Sequence, residues 1–300
     1  MIKRLLVPLD GSSLAESVLP VAASLAKKIN ISVTLIHVIE KEAPEKIHGQ
    51  SHLQMPKDAV NYLNTIAGLE IFNGVSMEMH VHEEGIKNVS QSIADHSKEL
   101  NQDIVLMCSH GNSGLLGILY GSIAQQVISL GHIPVLLIHP VKDYVNAKYS
   151  FENFLVPLDG NTDHETALNY ALDFAKLCEA KINLLTAIPY SGNMTGKQTP
   201  VNRLLPSATS IMMDMIVTDT EEYLKKIKEK LEQSSLTVTT KISRNDPESA
   251  IIEEANNIIA DLIIIGTHGK KGADAFWEGS ITPKISKSTT IPLLLIPVNK

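Results

Sequence analysis

Two glycines and a later Gly-Ser pair have the spacing of a phosphate-binding loop. Gly266 and Gly269 follow a short apolar segment, and Gly279-Ser280 come after nine further residues. A glycine at a strand end lets the backbone approach a bulky anion, and free N–H groups at a helix N-terminus point at phosphate oxygens. Ser280 would cap that helix and donate to a phosphate. The pattern predicts a phosphorylated ligand; the alternative is turn glycines and a helix cap without one.

The same loop occurs earlier in the chain with one change. Cys108 stands where the later loop has its first glycine, while Gly111 and the pair Gly121-Ser122 keep their spacing. Cysteine is small enough to keep the loop's shape, but its Cβ disfavours positive φ and would crowd a phosphate. A strand-end cysteine is more often a small apolar residue than a nucleophile, so we favour the first role for Cys108.

These loops belong to an internal repeat that divides the chain in half. The segment Arg4–Gly11 returns as Asn153–Gly160, 149 residues later. The segment Asp103–Gly111 returns as Asp261–Gly269, 158 residues later. A repeat of this length indicates tandem duplication of a domain. We expect domains at 1–145 and 146–300, called the first and second units below.

The elements around the loops alternate between strand and helix. The strands are continuous apolar runs, as in a parallel sheet covered on both faces. Helical segments between them carry apolar residues on one face, for example Leu224, Ile227 and Leu231. This order predicts two doubly wound α/β domains built from right-handed βαβ units. Ligands are expected at the carboxyl ends of the strands.

Composition narrows the class of protein. A hydrophobic fraction of 44% over 300 residues supplies two cores, and a net charge of -7 lacks the basic excess of a nucleic-acid-binding protein. No apolar run is long enough for a membrane span or a signal peptide. The two cysteines, Cys108 and Cys178, lie in different halves. We therefore expect a cytoplasmic, reduced protein without nucleic-acid or membrane partners.

Three sequence elements together resemble the universal stress protein family. They are Val7–Gly11 with its repeat Val156–Gly160, the Gly-x2-Gly-x9-Gly-Ser loop, and the final apolar segment Ile291–Ile296. The resemblance covers the whole chain as two copies. It implies a Rossmann-like, five-stranded parallel sheet flanked by helices in each unit. It also implies binding of ATP, or of AMP or ADP, together with Mg²⁺ in members that keep the glycine loop.

Carried over position by position, the resemblance implies a nucleotide site in each unit. Asp159 would hold the adenosine portion, Ala187 would line the adenine pocket, and the glycine loop would surround the phosphates. The second-unit set is Pro157, Leu158, Asp159, Ala187, Ile265, Gly266, His268, Gly269, Gly279, Ser280, Ile281 and Thr282. The first-unit set is Pro8, Asp10, Val38, Met107, Gly111, Gly121 and Ser122. Since Cys108 departs from the loop pattern, we expect the nucleotide mainly in the second unit.

Asp10 and Asp159 also have a structural interpretation. An aspartate at the end of a first strand commonly caps the following helix. At the mouth of the sheet, the same carboxylate would instead accept hydrogen bonds from a ribose or an adenine. With the resemblance, we favour the ligand role.

The resemblance favours a regulatory, nucleotide-binding protein of the stress response. A slow ATPase or a nucleotidyl-transfer enzyme is an alternative, although the Gly-x4-Gly-Lys-Ser/Thr loop of many NTPases is absent from the sequence. A nucleotide-free interaction or ligand-binding scaffold is the third possibility. In the family the final strand pairs across a dimer interface. We therefore expect the units to form an intramolecular pseudo-dimer that buries Leu136, Ile138, Leu294 and Ile296, with a homodimer of chains left open.

Two further segments carry candidate functional residues. His48 and His52 have a helical spacing, and His80 and His82 alternate on an expected strand, so each pair is a candidate for metal binding. We favour solvated histidines on a loop and a strand edge. The segment 189–219 includes a methionine-rich stretch at 211–216, for which we favour a core-facing helix start over an adaptable binding surface.

Overall fold

Two α/β units of the same architecture make up the protein. The computed structural model describes residues 2–41, 46–47, 50–109, 122–140, 149–160, 165–188, 206–268 and 281–298. Within these residues each unit contributes five parallel strands with helices packed against them. The fold class expected from the sequence is confirmed.

The five strands of the sheet and the longer helices between them follow one another in the same order in the two units. The first unit also contains a short helix, two short strands and a 3-10 turn. The described elements of the first unit are β1 (Arg4–Pro8), α1 (Ser13–Glu16), α2 (Leu19–Ile29), β2 (Ser32–Glu40), β3 (Lys46–Ile47), β4 (Gln50–Ser51), α3 (Pro56–Ala67), a 3-10 turn (Glu70–Phe72), β5 (Met77–Ile86), α4 (Val89–Glu99), β6 (Ile104–Cys108), α5 (Ser122–Leu130) and β7 (Val135–Ile138). Those of the second unit are β8 (Asn153–Pro157), α6 (Glu165–Cys178), β9 (Lys181–Ala187), α7 (Pro206–Glu232), β10 (Val238–Ser243), α8 (Pro247–Asn257), β11 (Leu262–His268), α9 (Thr282–Ser288) and β12 (Leu293–Val298).

A ten-stranded sheet runs through both units. Its strand order is β10-β9-β8-β11-β12-β7-β6-β1-β2-β5. Within a unit the first strand lies in the middle of the parallel sheet. Successive strands are added first on one side of it and then on the other, and this change of side leaves a crevice at the carboxyl ends of the strands. In open parallel sheets such a crevice is the usual place for a ligand.

The sheet separates two apolar cores, one on each face. Leu5 and Val7 of β1 point into one core, and Leu6 between them points into the other. All three side chains are fully buried. Because both faces are covered at the central strands, these read as continuous apolar sequence, whereas the edge strands β5 and β10 carry exposed polar residues.

The two units meet along the antiparallel pair β7 and β12. Leu137 lies opposite Leu293, Leu136 opposite Leu294, and Val135 opposite Leu295. The four side chains expected to be buried here are at most 2% exposed, namely Leu136, Ile138, Leu294 and Ile296. The expected domain boundary between residues 145 and 146 lies outside the described residues.

A buried histidine bridges the units next to this strand pair. His139 follows β7, and its Nδ1 lies 2.9 Å from Ser109 Oγ of the first unit. Its Nε2 lies 3.3 Å from Ser286 Oγ on α9 of the second unit. The three residues are at most 4% exposed. Burial lowers the pKa of His139 to about 4, so the folded protein holds the ring neutral near physiological pH.

Truncating Leu136 should destabilise the protein through the junction. Leu136→Ala removes a fully buried side chain from the centre of the β7–β12 pair. We expect the free energy of unfolding to fall by about 2–5 kcal/mol, because a cavity is added to the lost burial. Urea denaturation followed by circular dichroism measures the change. Leu69→Ala, at a position 38% exposed, is the control and should change stability by less than about 1 kcal/mol; equal losses would contradict the buried junction.

The His139 bridge should make stability sensitive to acid. In the unfolded chain His139 takes up a proton near its ordinary pKa of 6.5, whereas the folded protein resists protonation down to about pH 4. The contribution of His139 to the free energy of unfolding is therefore complete above pH 6.5, the pKa of the residue in the unfolded chain. It falls by about 3 kcal/mol as the pH drops from 6.5 to 4. His139→Gln removes the titrating group, so its stability should fall less over this window. A denaturation series in pH that gives equal slopes for the wild type and the variant would refute the assignment; His132→Gln at an exposed position is the matched control.

Candidate functional site

A cavity lies at the carboxyl ends of the central strands of the first unit. Its volume is about 340 Å³. Its walls combine aliphatic side chains with a few polar ones. Among the described residues it is lined by Pro8, Leu9, Asp10, Ser12, Leu14, Ala15, Ile36, His37, Val38, Glu40, His52, Val89, Ile93, Met107, Cys108, Ile123 and Ala124. Four first-unit residues selected from the sequence, Pro8, Asp10, Val38 and Met107, thus line one cavity.

The turn after β1 sets the position of the Asp10 carboxylate. The backbone N–H of Ser12 donates to Asp10 Oδ1 at 2.9 Å. The Ser12 hydroxyl in turn accepts from the N–H of Ala15 at 3.1 Å and forms the N-cap of α1. The interpretation of Asp10 as the helix cap is therefore wrong, since Ser12 caps the helix and Asp10 braces the turn before it. Gly11 follows with φ +86°, a conformation that favours glycine.

A buried histidine ties a second segment to this turn. His37 is 2% exposed. Its Nδ1 lies 2.7 Å from the Leu9 carbonyl oxygen and its Nε2 lies 3.0 Å from that of Leu53. The Leu53 side chain also lies against Gly11, where an added Cβ would come within 3.0 Å of it. His37 and Gly11 together hold the segment around Leu53 beside the cavity.

This segment brings His52 into the cavity wall. The His52 Nδ1 atom is buried and has no hydrogen-bond partner. Burial and the nearby His37 ring lower the pKa of His52, while Glu40 and Asp10 act in the opposite direction. None of His37, Glu40 and His52 was expected at this cavity from the sequence. His37 and Glu40 flank Val38 on β2, which was the available signal, but only the folded chain brings His52 beside them.

Cys108 ends β6 at the wall of the same cavity. Its Sγ lies 3.1 Å from the Ser17 hydroxyl and donates to the Ser109 carbonyl oxygen at 3.0 Å. Burial raises the pKa of the thiol to about 11. The reactive form of cysteine is the thiolate, so this environment favours the small, inert residue preferred from the sequence over a nucleophile.

The second unit repeats this arrangement at the ends of its own strands. Pro157 ends β8, and Leu158 and Asp159 follow it. Gly160 then has φ +78°, as Gly11 does in the first unit. Ala187 ends β9. The exposed Asp159 therefore stands at the same turn as the half-buried Asp10.

The strand β11 and the helix that follows it differ from expectation in two details. Gly266 lies inside β11, because the strand continues through Ile265, Gly266 and Thr267 to His268, whereas β6 ends at Cys108. The helix α9 begins at Thr282, and its N-cap is Ile281 without a side-chain cap. The first-unit counterpart α5 begins at Ser122. The other loop residues of the two sets, Gly111, Gly121, Gly269, Gly279 and Ser280, lie outside the described residues.

Three histidines cluster on the outer edge of the first unit. His80 and His82 on β5 face His96 on α4, with ring centroids 4.5 and 5.0 Å from that of His96. His96 Nε2 lies 2.9 Å from His82 Nδ1, and His96 Nδ1 lies 2.8 Å from Glu99 Oε2. The Nε2 atoms of His80 and His82 are buried without partners. Burial and the two neighbouring imidazoles lower the pKa of His80.

This cluster corrects the expectation for the histidines. His80 and His82 lie at the sheet edge but are half-buried against α4 rather than solvated, and no sequence pattern links His96 to them. In the part of the chain that the structure describes, no three His, Cys, Asp or Glu side chains are arranged to hold a metal ion. The helical spacing assumed for His48 and His52 is also wrong, because β3 and β4 on either side of His48 pair as antiparallel strands. His48 itself lies outside the described residues.

The methionine-rich segment opens α7 and is exposed. Ile211 is 63% exposed, Met212 46% and Met215 62%. The expectation that this segment is a core-facing helix start is therefore wrong. The apolar face that packs on the sheet comes later in α7, with Leu224, Ile227 and Leu231 at most 5% exposed.

Comparisons with known proteins agree with this architecture. The model of the universal stress protein family matches residues 1–139 and again 150–297. A universal stress protein of Mycolicibacterium smegmatis is 22% identical, with 97% of this chain and 96% of that protein covered. One from Methanocaldococcus jannaschii is 25% identical and matches 50% of this chain and 85% of its own length.

Solved structures show the same fold over the full length. The crystal structure of a universal stress protein from Archaeoglobus fulgidus superposes with a TM-score of 0.70 at 19% identity. It covers 99% of this chain and 98% of that chain. None of the described helices combines the length and the apolar character needed to cross a bilayer. From the two family matches, which together span nearly the whole chain, we conclude that it belongs to the universal stress protein family.

Proposed function

We propose that the protein is a regulatory, adenine-nucleotide-binding member of its family, with ATP held mainly by the second unit. The observation that carries the proposal is the cavity of the first unit. Pro8, Asp10, Val38 and Met107 come from three strand ends and meet around one space. The repeat places Pro157, Asp159, Ala187 and Ile265 at the equivalent strand positions. A ligand at the second crevice would contact the same kinds of side chain.

The described residues of the second unit suit a nucleoside. Ala187 and Ile265 would flank the base with apolar surface, and the Asp159 carboxylate would accept hydrogen bonds from ribose hydroxyls. The adjacent Thr186 hydroxyl is buried without a partner. Such an unsatisfied group is costly unless a ligand or water completes it.

The glycine loop would supply the phosphate contacts. The second unit keeps Gly266, Gly269 and Gly279-Ser280, whereas the first has Cys108 at the first position. Backbone N–H groups of such a loop bind phosphate oxygens, and bound Mg²⁺ would offset part of the negative charge. In this proposal occupancy of the loop, rather than rapid turnover, carries the regulatory signal. An ATP-turnover assay on the purified chain distinguishes a protein that only binds ATP from one that hydrolyses it slowly.

The substitution Gly279→Glu should abolish ATP binding. It places bulk and a negative charge at the expected phosphate position, and repulsion of this kind costs several kcal/mol, or about 100-fold or more in affinity. Calorimetry with ATP and Mg²⁺, and mass spectrometry of nucleotide released from the purified protein, measure the loss. Gly121→Glu is the matched control, because it makes the same change at the equivalent position of the first unit. Undiminished ATP affinity in a folded Gly279→Glu variant would reject the assignment of the site.

A further inference from the structure

The first-unit cavity has the wrong charge for a polyphosphate. Asp10 and Glu40 line it, and among its described lining residues there is no Lys or Arg. Both carboxylates are close enough to act on the pKa of His52. The sequence from 109 to 131, which includes the first loop, contains no Lys or Arg either. Phosphate groups entering here would meet like charge without a basic partner.

The second unit differs in this respect. Its corresponding stretch, 267–289, carries four lysines against two acidic residues, namely Lys270, Lys271, Lys284 and Lys287 with Asp274 and Glu278. Lysine is a common partner of phosphate groups. The second loop region thus has more basic than acidic residues, whereas the corresponding stretch 109–131 of the first unit has no Lys or Arg. This difference comes in addition to the replacement of a loop glycine by Cys108.

An unsatisfied imidazole nitrogen in the cavity indicates what its ligand must offer. His52 Nδ1 is buried without a hydrogen-bond partner, and the His52 ring lines the cavity. Because burial and His37 lower the pKa of His52, the ring is neutral near physiological pH. Its Nδ1 atom then donates or accepts one hydrogen bond, according to the tautomer, with an uncharged polar group. A ligand hydroxyl or ring nitrogen would satisfy it.

The remaining walls suit a flat apolar body. Aliphatic side chains from three strands and three helices surround the space, among them Ile36, Val38, Ile93, Met107 and Ile123. The volume of about 340 Å³ falls at the small end of the range of ~300–1,000 Å³ that is usual for small-molecule sites. Such a space holds a heterocycle with a sugar-sized substituent.

We propose that the first-unit cavity binds a nucleoside-type compound that carries no phosphate, and that His52 is its specificity-determining residue. Asp10 accepts hydrogen bonds from ligand hydroxyl or amino groups, as proposed for Asp159 in the second unit, and Glu40, which has Pro189 at its place in the repeat, rejects phosphate. This deepens the proposed function by giving the two units different ligands, and it does not depend on ATP binding by the second unit. The chain then responds to two related compounds at two sites.

The test uses the full chain with ATP binding by the second unit disabled by Gly279→Glu, and the His52 variant then assigns adenosine binding to the first cavity. Calorimetry with adenosine and with ATP should show binding of adenosine and at least ~10-fold weaker binding of ATP. Adding His52→Ala should weaken adenosine binding by ~10-fold, since one buried hydrogen bond is lost. His132→Ala, at an exposed histidine elsewhere in the unit, should have no effect on adenosine.

Charge reversal tests the rejection of phosphate separately. Glu40→Lys should raise ATP affinity by ~10-fold, because a repelling charge becomes an attracting one. Glu78→Lys makes the same change at an exposed position of β5 outside the cavity lining and should leave ATP affinity within ~2-fold.

The outcomes separate the two proposals. Absence of adenosine binding, or ATP binding as tight as adenosine in the Gly279→Glu chain, overturns the inference on the first cavity. Unchanged adenosine affinity in a folded His52→Ala variant overturns the role of His52. Failure of ATP to bind the wild type while adenosine still binds rejects the proposed function of the second unit alone and leaves the first-cavity inference standing.

Discussion

Burial of both faces of the ten-stranded sheet is the constraint on which the other features depend. Leu5, Leu6 and Val7 of β1 are all withdrawn from water although they point in opposite directions. Side chains in the middle of such a strand are committed to packing, so polar chemistry is left to the strand ends. At one end, Asp103 accepts hydrogen bonds from the backbone N–H groups of Lys3 and Arg4 and fixes the start of β1. At the other end lies the cavity.

The repeated Asp-Gly turn shows how one frame carries two different sites. Gly11 and Gly160 share positive φ, so the backbone brings Asp10 and Asp159 to equivalent places. The neighbouring residues then diverge. His37 of the first unit bridges the Leu9 and Leu53 carbonyls, whereas the equivalent Thr186 has no partner. The frame is set by backbone geometry and packing, and the hydrogen-bonding groups offered at its edge are set by the side chains there.

Much of the frame could be predicted from the sequence because it rests on local patterns. Hydrophobic patterning along the chain predicts the apolar strands and the amphipathic helices, such as the one bearing Leu224 and Ile227. The repeated order of motifs predicts the two units. The junction was also predictable, since an apolar final strand such as β12 needs a partner for its edge. These features require no knowledge of which distant residues meet.

The parts that were missed depend on contacts between distant segments. His96 joins His80 and His82 only because α4 packs on β5, and His52 reaches the cavity only because His37 and Gly11 hold its segment. Asp10 and Ser12 both lie just before α1, and both residue types commonly cap helices, so local sequence does not decide which of them is the N-cap. The exposed Met212 and Met215 show the reverse case, in which apolar composition suggested burial that the fold does not provide.

The β7–β12 pair has a consequence for how the protein evolves. When two identical chains associate, every substitution appears at both sites, so neither site changes without the other. Here the partner strand belongs to the same polypeptide, so a substitution in one half leaves the other half unchanged. The two halves are also always present in a one-to-one ratio. A cell needs no mechanism to pair unlike subunits. Covalent linkage thus joins two unlike halves in one polypeptide.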